Sequence, residues 1–157
     1  MNIKYALLAA LFLSAGAFAS SEAELRQCIN KAQSNADMPN AVRDCFLTYM
    51  NYSTTSVPIA DGIVLKNFSH NNGYIVYNFQ LSNLVFTPGS PPSEKAVKAL
   101  KGWIDSEDVS RSQKIGYCEK LGQARDLFED GAIVRYYDKN GLFITQKVIP
   151  ASECGQS

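Results

Sequence analysis

The chain is poor in the residues that usually carry chemistry: it has one histidine, one tryptophan and no surplus of either charge. Each scarcity removes a class of function. His70 stands alone in the polar stretch Ser69-His70-Asn71-Asn72-Gly73, where it would have to serve a Ser-His-Asp triad from a turn and has no second ligand to share a zinc ion. It reads as an exposed turn residue. Fifteen Lys and Arg balance fifteen Asp and Glu, so no basic footprint for nucleic acid or an anionic membrane is present. There is no Gly-rich phosphate loop and no G-x-S-x-G elbow. Asp61-Gly62 and Asp138-Lys139-Asn140-Gly141 both lack the closing Glu of a calcium loop. The carboxylates Glu119, Asp126, Glu129 and Asp130 interleave with Arg125 and read as a solvated helix face rather than an acid–base pair. No catalytic set converges, so the expectation is a protein that is not an enzyme and takes no cofactor or metal.

What is there begins with MNIKYALLAALFLSAGAFAS, a single Lys before about a dozen apolar residues and then Ala17-Phe18-Ala19. This is the pattern of a secretory leader at 1–19, cleaved before Ser20. The apolar run is short of the roughly 20 residues that span a bilayer. No cysteine follows it directly to carry a lipid, since the first is Cys28 behind Arg26-Gln27. The expected product is exported, periplasmic and soluble, with no membrane insertion after leader cleavage. All four cysteines lie in that product, and an even number in an oxidising compartment implies two disulfides.

Leu25, Cys28, Ile29 and Ala32 recur at helical spacing, and a second helix capped by Asp37 carries Val42, Cys45, Phe46 and Tyr49. In an antiparallel helix pair, Cys28 and Cys45 stand equally far from the turn near Ala36 and should bond. After the break at Ser53–Pro58, a strand at 62–68, the turn Asn71-Asn72-Gly73 and an alternating strand at 74–82 form a hairpin. Thr87–Pro92 is loop. Ser93 caps a helix with Val97, Leu100, Trp103 and Ile104 on one side and Lys95, Lys98 and Lys101 on its solvated side. Residues 105–114 read equally as a frayed helix or a loop. A fourth helix is expected from near Tyr117-Cys118-Glu119 to just before Gly131, burying Leu121, Ala124, Leu127 and Phe128. Strands at 132–138 and 142–149 then flank Asp138–Gly141, and a Cys118–Cys154 bond would close this helix–hairpin unit.

The expected fold is α+β, an antiparallel sheet of four to five strands with helices packed on one face and two disulfides. A stapled helical hairpin at 20–52 and an α+β domain at 53–157 would form one compact unit. Tyr74, Tyr77, Phe79, Phe86, Trp103, Tyr136, Tyr137 and Phe143 cannot all face the core from alternate strand positions, so Tyr74, Tyr136 or Phe143 either line an outer face or groove or serve ordinary strand packing and edge protection.

From Ser56 onward the layout resembles the sheet-type pilotins of bacterial type II secretion. The residues that carry the resemblance are Val57-Pro58 leading into the hairpin at Gly62–Leu81, Tyr117-Cys118, Asp130-Gly131, Tyr136-Tyr137-Asp138, Gly141 and the closing Cys154. It covers about two-thirds of the mature chain. The resemblance implies a periplasmic domain with a central sheet, flanking helices and one disulfide at these two cysteine positions. It also implies a role as an escort that grips a helix from a secretin C-terminus in an apolar groove. Pilotins of this type are usually lipoproteins; this chain lacks the lipidated cysteine and adds the helical pair at Glu22–Asn51. The groove is expected between the sheet and a flanking helix, with Leu100, Trp103, Tyr136 and Phe143 as partner-binding candidates for a secretin helix or another peptide. The alternatives are a periplasmic small-ligand carrier, an inhibitor of another target, or an enzyme of unrecognised type. A carrier would need an enclosed pocket of about 300–1,000 Å³ in place of an open groove.

Overall fold

The structure, a computed structural model, describes residues 19–54, 56–86, 89–90 and 92–155. The leader expected at 1–19 lies outside these apart from Ala19, and of the 87–92 loop Thr87, Pro88 and Pro91 lie outside. Among the described residues no helix is long and apolar enough to cross a membrane. The chain divides into two compact units, one ending at Ser53 and the other starting at Thr54.

The first unit is a helical hairpin of α1 (Ala19–Ala32) and α2 (Met38–Thr54). The turn is set by short polar side chains: Asn35 Oδ1 accepts from the Asp37 N–H at 2.9 Å, and the Asp37 carbonyl accepts the first helical bond from Ala41 at 3.0 Å. Pro39 sits in the first turn of α2, where a missing N–H costs nothing. Leu25, Ile29 and Ala32 on α1 and Val42, Cys45, Phe46 and Leu47 on α2 are buried. Cys28 and Cys45 are bonded, with Cα atoms 5.7 Å apart. Their equal distance from the turn brings them together, although Cys28 itself is exposed rather than part of the buried stripe.

The second unit is a five-stranded sheet in the order β1-β2-β3-β4-β5: Val57–Ala60, Ile63–Asn71, Tyr74–Leu81, Gly131–Tyr137 and Phe143–Pro150. β1 is an exposed edge strand that tolerates Pro58 because one side of an edge strand makes no ladder bonds. The β2–β3 hairpin turns at Asn72, whose φ of +51° suits the short polar side chain of Asn. His70 belongs to β2, opposite Ile75, and is half-buried rather than an exposed turn residue.

The sheet is not wholly antiparallel as expected. β3 and β4 pair in parallel, from Tyr74–Gly131 to Gln80–Tyr137. A parallel pair cannot be joined by a hairpin, and the connection here is a crossover carrying two helices, α3 (Glu94–Ile104) and α4 (Glu107–Ile115). The crossover returns the chain to the start of β3, where the Asp130 N–H donates to the Gly73 carbonyl at 3.1 Å.

α4 resolves the ambiguous segment: 105–114 is largely helix. The fourth helix does not start afresh at Tyr117. Instead α4 runs on into one wide π-type turn, Gly116–Lys120, followed by the tighter 3₁₀ turns of Gly122–Leu127. Within the wide turn Tyr117 is fully buried, and its hydroxyl donates to the Phe128 carbonyl at 2.8 Å. Ala124, Leu127 and Phe128 are buried as expected, while Leu121 is half-exposed. Gly131 has φ +137°, but it opens β4 instead of capping a helix. A Cβ there would collide with the Ile149 carbonyl oxygen across the ladder. Cys118 and Cys154, 36 residues apart with Cα atoms 5.5 Å apart, tie the π turn to the end of β5. On chain-entropy grounds this staple contributes roughly 3–4 kcal/mol, and two such bonds belong to an oxidising, exported environment.

Candidate functional site

The two sheet faces are distinguished by strand alternation and register. Ile75 stands opposite Ala132, Tyr77 opposite Val134 and Phe79 opposite Tyr136, so these six share a face. A groove of about 410 Å³ lies along that face, half open to solvent. Its floor is Ile63, Tyr77, Phe79, Val134 and Tyr136, and Ile59, Ala60 and Trp103 form its outer parts. The opposing wall is α4, which contributes Asp108, Val109, Ser112, Gln113 and Gly116. Those positions follow the i, i+1, i+4, i+5, i+8 spacing of one helical face.

Lys147 on β5 bridges the α3–α4 corner. Its ammonium lies 2.5 Å from Ser110 Oγ, 3.3 Å from the Ile104 carbonyl and 3.4 Å from Asp105 Oδ1. One cation thus joins the orphan carbonyl at the end of α3, the Asp105 carboxylate after it and a hydroxyl of α4. Inside the groove, Tyr136 stacks on Phe79 at 5.7 Å between ring centroids and meets Trp103 edge-to-face at 6.2 Å. The Tyr136 hydroxyl is 2.5 Å from Gln113 Nε2, fastening floor to wall. Burial pushes the Tyr136 phenol up to about 12, with the Gln113 bond pulling the other way. Burial, and then the neighbouring Tyr117, raises the Tyr77 phenol well above its ordinary range. Both floor phenols are therefore neutral at any physiological pH.

Gln113 Oε1 is buried with no hydrogen-bond partner among the described residues. Such an orphan costs about 1–3 kcal/mol. An occupant that opened the wall by a side-chain rotation and supplied a donor would recover part of this.

The candidates separate cleanly. Trp103 and Tyr136 line the groove and touch each other. Leu100 is half-buried on α3 but is not part of the groove lining. Phe143 is also outside it: it is 47% exposed and packs edge-on against Tyr137 at 5.9 Å. Tyr137 points away from Tyr136 because neighbours along a strand face opposite ways. Sequence reasoning missed Ile59, Asp108, Val109, Ser112, Gln113 and Gly116. For α4 the signal existed, in Ser106 followed by two acids and then Val109 four residues before Gln113.

Asp138 was also passed over as an ordinary turn residue. It is fully buried, and its Oδ2 accepts from the Phe86 N–H at 3.0 Å while Oδ1 accepts from Asn140 and Leu142 at 2.8 Å each. These backbone donors, Phe86 first, hold its carboxyl below the usual carboxylate range against the opposing effect of burial. Asp138 organises the β4–β5 turn and pins the segment after β3. A recess of about 690 Å³ beside Cys118–Cys154 has Arg111, Lys114, Arg125 and Lys147 facing Glu107, Glu119 and Glu153, a mixture that concentrates neither charge. Among the described residues no three His, Cys, Asp or Glu side chains gather to hold a metal ion. No protein-family model, curated protein or solved structure matches the chain.

Proposed function

We propose that this protein is a non-catalytic periplasmic binding module whose groove between the sheet and α4 grips an apolar, helical segment of a partner. The observation that carries the reading is the shape and lining of the groove: half open, about 410 Å³, with a floor of aliphatic and aromatic side chains. An amphipathic helix presents anchors at i, i+3, i+4 and i+7 along one stripe, and such a slot accepts two or three of them. Trp103, 41% exposed, and Ile59, 52% exposed, are large apolar side chains left in water at its edge, and covering them supplies driving force for association. A pilotin-like role, holding the C-terminal helix of a secretin subunit, is the specific form of this reading and rests on the sequence resemblance.

A second reading, a carrier for a small apolar ligand, is favoured by the volume, which falls within the range of small-molecule sites. The groove's open side weighs against it. The test is affinity capture from envelope extract with wild type and with Trp103→Ser and Ile59→Asp, each first checked for unchanged thermal stability. Recovery of a secretin C-terminal segment by wild type and not by the variants supports the pilotin form. Native mass spectrometry showing a retained small molecule and no protein partner would replace the reading with a carrier. Capture of the same partner by all three proteins would remove the groove from the interaction.

A further inference from the structure

We propose that the groove selects a partner segment carrying a basic residue beside its apolar anchors, with Asp108 as the selecting group. This rests on the reading of the groove as a helix-binding site and names the chemistry of what it binds. Asp108 is the one charged side chain among the groove's described lining residues, which include no Lys or Arg. It is exposed, and its carboxylate has no ion-pair or hydrogen-bond partner among the described residues. Its neighbour Glu107 is engaged by Arg111 one turn along α4, at 2.5 Å.

The rest of the wall has the same bias. Ser112 follows Asp108 on the same helical face, and behind it the Gln113 carboxamide oxygen is buried without a partner among the described residues. The Asp108 carboxylate and the Ser112 hydroxyl therefore stand on one side and neutral aromatic rings on the other. A cation is rewarded twice at this edge of the slot, by the carboxylate and by the exposed ring of Trp103. An acidic segment meets a like charge beside a low-dielectric floor. A first-turn aspartate also favours the helix dipole, yet Glu107 already places negative charge in that turn. Helix stabilisation alone would leave partner choice untouched.

The experiment uses three synthetic helical peptides with identical leucine anchors at i, i+3, i+4 and i+7 and Arg, Gln or Glu at one flanking position. Binding is read from the fluorescence of Trp103, the chain's single tryptophan, at low salt and at about 0.5 M salt. Wild type should prefer the Arg peptide over the Glu peptide by roughly tenfold at low salt, shrinking at high salt. Asp108→Asn should erase the preference and Asp108→Arg should invert it, rescuing the Glu peptide. Equal binding of all three peptides by wild type, with loss of all three in Ile59→Asp, would overturn the charge selection and leave the groove standing. Binding of no peptide would overturn both.

Discussion

Gly116 offers the sharpest test of the groove, because a side chain can be added there without disturbing the fold. It caps α4 with φ −54° and ψ −47°, a right-handed helical conformation open to any L-residue. A Cβ built on it meets no atom within 4 Å, and the residue lines the groove. Gly116→Leu should therefore place four carbons in the slot from the helical wall. Replacing glycine in helical backbone contributes about 0.5–1 kcal/mol of stability, which for a chain of this size raises Tm by roughly 1–4 °C. Binding should move the other way. A leucine occupying the place of one partner anchor forfeits about 1.5–3 kcal/mol of apolar burial, or roughly 10- to 150-fold in Kd. The assay is calorimetric unfolding of both proteins followed by titration with the Arg-bearing helical peptide, monitored at Trp103. A variant that is as stable as wild type and binds the peptide equally well would refute the reasoning, since the slot would be filled without consequence. Gly116→Ala, with a single added carbon, should fall between the two.

Four further outcomes test the supporting architecture. Gly131→Ala forces a side chain into the Ile149 carbonyl at a φ that L-residues avoid. It should cost about 2–4 kcal/mol in urea denaturation, and a loss under 0.5 kcal/mol would contradict the close approach. The Asp138 carboxyl is depressed in the folded state, so its stabilisation is present above the ordinary carboxylate pKa of about 4 and is lost as pH falls through the folded value. The stability gap between wild type and Asp138→Asn should thus be open at neutral pH and close on acidification; a gap independent of pH would rule the carboxylate out as the source. Lys147→Met keeps the aliphatic stem but releases the α3–α4 corner, and should cost about 1 kcal/mol and speed amide exchange in the first turn of α4. Replacing Cys118 and Cys154 together by Ala should lower stability by roughly 3–4 kcal/mol, and retention of wild-type Tm would show that the closed loop constrains little.

Elements fixed by neighbours in sequence were legible. The Asn72-Gly73 turn, the alternation of 74–81 and 131–137, and both cysteine pairs follow from local spacing and turn chemistry. What local pattern could not carry was the partner of each strand. Parallel β3–β4 pairing and two hairpins joined side by side share one hydrophobic alternation, and only the crossover distinguishes them. α4 was obscured because its groove face is half polar: Asp108, Ser112 and Gln113 break the apolar stripe that marks a buried helix. The groove inherited both difficulties, its floor depending on the parallel register and its wall on α4. Asp138 was hidden differently. Its bond to the Phe86 N–H spans 52 residues, and nothing near Asp138 in sequence announces a donor so far away.

The pairing of cysteines in chain order has a consequence for biogenesis. Cys28 finds Cys45 within 17 residues and inside the first unit, and Cys118 finds Cys154 inside the second. If the thiols are presented to an oxidant from the N-terminus onward, the first two can close before the second two have emerged. The third waits for the fourth, beyond β5, by which time both strands of the last hairpin are present to hold the ends together. Joining each thiol to the next one available yields the native connectivity. In that order of presentation, two bonds form with an electron acceptor for each and without a wrong pairing to be reshuffled.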